Sequence, residues 1–114
     1  MTEHELIRTL QSASSQLSFA DCLAVIDAHY DFTPCAFDNG TLKNTAGENN
    51  GSCKIFAFGR LHQLSPEQTL ACFGEHYQGV LDDPAGQSHQ NIRNFIKQGW
   101  AGVHYYGQPL TPKV

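Results

Sequence analysis

Two stretches of the chain gather side chains that could do chemistry. The first runs from Asn44 to Lys54 and carries Asn44, Asn49, Ser52, Cys53 and Lys54 in a sequence rich in Asn and Gly. The second, SHQNIRN, packs His89, Gln90, Asn91, Arg93 and Asn94 together. If a helix starts at Ser52, its unpaired N–H groups and the positive end of its dipole would attract an anion or a thiolate. Cys53 in that first turn, beside Lys54, would then ionise more readily and be a candidate nucleophile. In the second stretch His89 and Arg93 stand four residues apart on one helix face. They offer an imidazole and a guanidinium to a carboxylate or phosphate. Taken together, the stretches supply Cys53, His89 and either Asn91 or Asn94, the residue types of a cysteine hydrolase. Each pattern also has a plainer use. Ser52 can simply cap a helix, the asparagines can satisfy loop backbone, and Arg93 can pair with Asp82 or Asp83.

Other chemistries are disfavoured by spacing and charge. The six histidines form no HxxxH or HExxH pattern and the four cysteines form no CxxC pair, so neither a metal nor a cofactor is expected. Seven basic against 11 acidic residues give a net charge of −4, and the cations are scattered, which argues against nucleic-acid binding. No apolar run reaches the roughly 18 residues of a membrane span. The first residues, MTEHELIRTL, carry acids where a secretory signal needs bases, so a soluble cytoplasmic protein with free thiols is expected. At 114 residues, 40% of them hydrophobic, the chain suits one globular domain spanning residues 1–114.

The elements that must position these residues follow from local signals. Thr2 and Glu5 form a capping box ahead of Leu6, Ile7, Leu10, Ala13 and Leu17, which predicts a helix from Glu3 to Ser15. Ser18 starts a second helix with Asp21 in its first turn and Cys22, Leu23, Ile26 and Tyr30 as its buried stripe. Pro34 makes Phe32 to Phe37 an edge strand, and Asn39-Gly40 can turn it back into a short strand over Thr41 to Asn44. The loop NTAGENNG is longer than the usual connection. Ser52 to Leu64 reads as a buried helix rather than a strand. Ser65-Pro66-Glu67-Gln68 opens another, whose face is Leu70, Phe73, Tyr77, Val80 and Leu81. Ser88 caps a short helix buried through Ile92, Phe95 and Ile96 and ended by Gly99. Val103 to Tyr106 is a last strand paired with the hairpin, and the tail GQPLTPKV is irregular. The expectation is an α+β domain of about five helices with a small antiparallel sheet.

Four motifs, FTPCAFDNG, NNGSCKIFAFGRL, QTLACFGEHY and HQNIRNFIKQGW, occur in that order over residues 30–110 and resemble the HopJ type III effector family. Cys35 departs from that pattern, where Thr is expected, and is thereby a poor candidate for chemistry. The resemblance implies a bacterial protein that a type III apparatus can deliver to a host, with a protein partner there if it is secreted. It brings no biochemical activity with it. The residues themselves favour a pocket for a small anionic ligand, walled by the Asn-rich loop and the HQNIRN helix. A cysteine hydrolase using Cys53 and His89, or a partner-binding domain without a small-molecule site, are the alternatives. Arg93 is expected to be buried and bonded either to carbonyls of the Thr45–Gly51 loop or to a bound anion.

Overall fold

The computed structural model describes residues 1–12 and 17–113. Helix α1 (Glu3–Gln11) begins at the capping box of Thr2 and Glu5 and is closed by Ser12. The expected stretch from Ala13 to Ser15 lies outside the described residues. Helix α2 (Phe19–His29) is capped by the Ser18 side chain, which accepts from the Asp21 N–H. It buries Cys22, Val25 and Ile26.

The expected strand Phe32–Phe37 is two separate strands. Strand β1 (Tyr30–Phe32) continues directly from α2, and β2 (Phe37–Asn39) starts after an irregular stretch that contains Pro34. The hairpin turns one residue later than the Asn-Gly pair suggests. Asn39 pairs with Leu42, so Gly40-Thr41 is the turn, and Gly40 supplies the positive φ of 63°. Strand β3 is Leu42–Asn44. Two further strands, β4 (Val103–Tyr105) and β5 (Leu110–Pro112), complete the set. Strand β4 joins the hairpin in a three-stranded antiparallel sheet of order β3-β2-β4. The tail expected to be irregular pairs through β5 with β1, because Leu110 finds a buried seat and Pro112 sits at an edge where no ladder donor is needed.

Helix α3 (Asn50–Leu61) is the central element. It places Cys53, Ile55, Phe56, Ala57 and Phe58 in the core, which is why its sequence shows no polar face. Its N-cap is Asn49 in the left-handed conformation, not Ser52, which lies inside the first turn. Ser65 does form its capping box with Gln68, but the helix expected to run through Leu81 breaks at Gly74 into α4 (Pro66–Ala71) and α5 (Glu75–Asp82). Gly74 has φ +52°, and a Cβ there would sit 2.6 Å from the Leu17 carbonyl oxygen and the Phe19 nitrogen. The close approach of α2 forces both the glycine and the break. Helix α6 (Gln90–Gln98) starts from His89, again left-handed, with Ser88 displaced from the capping role. Ile92 and Phe95 are buried as expected, whereas Ile96 is exposed. A 3-10 turn, Gly99–Gly102, leads into β4. The mixed α+β architecture is as the sequence indicates.

Candidate functional site

A buried asparagine network joins the two polar stretches. Asn39 Nδ2 donates to the Asn91 carbonyl (2.7 Å) and to Asn91 Oδ1 (3.0 Å). Asn91 Nδ2 donates to Asn44 Oδ1 (3.0 Å), and Asn44 Nδ2 donates back to Asn91 Oδ1 (3.2 Å) and to the Phe37 carbonyl (3.3 Å). Asn49 Nδ2 completes the chain on Asn44 Oδ1 at 2.7 Å, and Asn94 Nδ2 donates to the Asn39 carbonyl at 2.9 Å. Asn39, Asn44 and Asn91 are all buried. Five hairpin, loop and helix positions are thus fixed relative to one another by amides, each able to donate and accept. Among the described residues Asn39 Oδ1 is the one buried side-chain polar atom without a hydrogen-bond partner.

This network sets α3 and α6 so that both helix N-termini open onto one cleft of about 400 Å³. Asn49, Gly51 and Ser52 line it from α3, and His89, Gln90, Asn91 and Ile92 from α6. Neither helix has a side-chain cap, and the N–H groups of Asn50, Gly51, Ser52, Gln90, Asn91 and Ile92 find no acceptor among the described residues. Phe19, at the start of α2, and His76, in the first turn of α5, close the far side. The His76 and His89 rings lie 4.9 Å apart, centre to centre. No carboxylate lines the cleft, in a chain with 11 acids. Unpaired amides, the positive ends of two helix dipoles and two imidazoles make the surroundings suited to negative charge.

The other candidate residues lie elsewhere. Cys53 is 2% exposed, and its thiol meets the Cys35 carbonyl at 3.9 Å, not the cleft. Burial pushes the thiol up from its usual range, and nearby Lys54 offsets only part of this. The expected activation of Cys53 is therefore reversed. The reason is that Cys53 falls on the core face of α3 once the helix begins at Asn50. No hydrogen bond joins Cys53 to His89 among the described residues. Lys54 reaches away from the cleft to Asp27 (2.8 Å) and lies over the Phe32 ring.

Arg93 is buried, at 8% exposure, but its partners are not in the Thr45–Gly51 loop. Nε donates to the Ser88 carbonyl (2.5 Å), and Nη1 to the carbonyls of Asp83 (2.9 Å) and Pro84 (3.4 Å). The side chain folds back on its own upstream turn and shapes the α5–α6 connection. Joining the two stretches falls to the asparagines instead. Asn39 and His76 were not singled out by spacing. Asn39 reads as a turn residue, and His76 as one histidine among six, although it stands within the motif QTLACFGEHY. Among the described residues no group of three or more His, Cys, Asp or Glu is arranged to hold a metal ion.

Comparison with known proteins adds the lineage. The chain is similar, at 49% identity and a TM-score of 0.96, to the crystal structure of a protein of unknown function, VPA0580, over 99% of this chain and 95% of that one. No curated protein matches it. The family described as HopJ type III effector protein matches residues 3–110, nearly the full length and all four motifs. The chain belongs to the HopJ type III effector protein family.

Proposed function

We propose that this HopJ-family protein binds a small polar anion in the cleft between α3 and α6. The observation that carries the reading is the meeting of two uncapped helix N-termini in one acid-free cleft. Single helix starts are usually capped by a side chain. Here Asn49 and His89 are both left-handed, and Asn49 spends its amide on Asn44 rather than on its own helix. The positive φ at these two non-glycine residues is strain of the kind held at binding sites. The ligand would take N–H donors from both helices, with the imidazoles of His76 and His89 at the rim. The protein is made and acts in the cytoplasm unless a type III apparatus recognises it; translocation of a reporter fused to residues 1–18 would count against that compartment.

Ser52→Asp tests the binding directly. Ser52 is the third residue of α3, where a carboxylate favours the helix, yet it would repel an anion in the cleft. In melts at constant ionic strength, inorganic phosphate raises the Tm of the wild type. Ser52→Asp melts no lower than wild type without phosphate and gains nothing from it. Equal phosphate stabilisation of both proteins, or none in either, overturns the reading.

A further inference from the structure

A second groove, also of about 400 Å³, runs between the end of α5, the turn that follows it and the outer face of α6. It shares only Gln90 with the cleft. One wall is apolar, formed by Val80, Leu81, Pro84 and Ile96. Leu81 and Ile96 are 50% and 44% exposed, large apolar side chains left facing solvent together. Arg93 and Lys97, one helical turn apart on α6 and beside Ile96, add two cations to the lining, and no carboxylate lines the groove. Among the described residues neither cation has an acid within ion-pair distance. Asp83 gives Arg93 its backbone carbonyl, and its carboxylate and Arg93 Nη2 both lie against Gly86 without forming an ion pair.

The state of Arg93 points to what belongs here. Three carbonyls satisfy Nε and Nη1, but Nη2 has only the Ser88 hydroxyl, at 3.5 Å, the limit of a hydrogen bond. Carbonyls satisfy donors without neutralising charge, so the buried guanidinium keeps an open N–H edge, with the Asp83 carboxylate near it but beyond ion-pair distance. Lys97 brings a second donor on the same face. We propose that this groove binds an amphipathic monocarboxylate, its carboxylate between Arg93 and Lys97 and its hydrocarbon chain along Leu81, Pro84 and Ile96. Two donors on separate cations match the two oxygens of a carboxylate. A phosphate would turn further oxygens toward the apolar wall, where they would lose water without gaining a donor. The volume lies within the range of small-ligand sites, roughly 300–1,000 Å³.

The probe is sodium octanoate, followed by amide NMR shifts of the labelled protein, with acetate and 1-octanol as controls. The proposal predicts saturable shifts across residues 80–97. Acetate and octanol should each bind about ten-fold more weakly or less, since each lacks one half of the match. Lys97→Gln, at an exposed and unpaired position, should weaken octanoate about ten-fold, and Ile96→Glu should abolish binding. Ser52→Asp should leave octanoate untouched, which separates this groove from the cleft. Absence of octanoate shifts, equal binding of octanol, or octanoate affinity unchanged by Lys97→Gln would each overturn the assignment.

Discussion

Asparagine, not arginine or cysteine, is the residue that organises the cleft. An amide side chain can donate to one loop and accept from another without carrying charge into the core, which suits it to fastening backbone segments. Asn91 does this between β2 and β3, and its loss would strand donors and acceptors on Asn39 and Asn44. Asn91→Ala is expected to lower stability by about 2–4 kcal/mol in urea denaturation, with phosphate stabilisation reduced alongside it. Arg93→Lys is expected to cost about 1–3 kcal/mol, because an ammonium cannot span the carbonyls of Ser88 and Asp83 as the fork does. Cys53 provides the counter-case. Its thiol is buried and pushed up, so iodoacetamide at neutral pH should label the half-exposed Cys35 well before Cys53 in the native protein, read by peptide mass. Rapid native alkylation of Cys53 would instead restore it as a nucleophile. The types of residue at the site were legible in the sequence. Their partners were not, since Arg93 chose carbonyls a few positions upstream while Asn91 reached 47 residues back to Asn44.

At the scale of elements, those whose ends are set by local chemistry were readable. The capping boxes at Thr2 and Ser65 and the Ser18 cap each close within one turn of helix, so sequence alone placed them. The helices that build the cleft begin at left-handed Asn49 and His89, residue types that tolerate that state, but the neighbouring serines carry the stronger capping signal in the sequence. The break at Gly74 was equally hidden, because the apolar stripe from Leu70 to Val80 continues across it. Its cause is the approach of α2, which α5 then caps: Glu75 Oε1 accepts from the Phe19 N–H at 2.7 Å. That N–H holds the Glu75 carboxyl below its ordinary value of 4.5. An acid depressed in the folded state stabilises above the unfolded pKa, and its contribution is lost as pH falls through the lower folded value. Glu75→Gln should therefore flatten the loss of stability as pH drops below 4.5, followed by denaturation at a series of pH values. A wild-type slope unchanged by the substitution would mean that the Phe19 N–H gains nothing from the charge.

Across the whole molecule, helix α3 packs against α2, α4 and β5, and two small antiparallel sheets tie the C-terminal strands β4 and β5 to β2 and β1. Strand β5 returns the C-terminal segment to β1, a pairing of three residues on each side that is too short to leave a pattern in the sequence. Among the described residues no helix is long and apolar enough to cross a membrane. The convergence of α2, α3, α5 and α6 on one cleft is a property of this global arrangement, and the central claim is that the uncapped N-terminal ends of α3 and α6 receive an anion. The most direct measurement is the anomalous difference density of a crystal soaked in selenate, a tetrahedral oxyanion with a strong anomalous scatterer. The account predicts a peak in the cleft, its oxygens within about 2.7–3.2 Å of backbone nitrogens from both Asn50–Ser52 and Gln90–Ile92. A cleft that holds only water at those six amides, in a crystal where selenate has bound elsewhere, would contradict it.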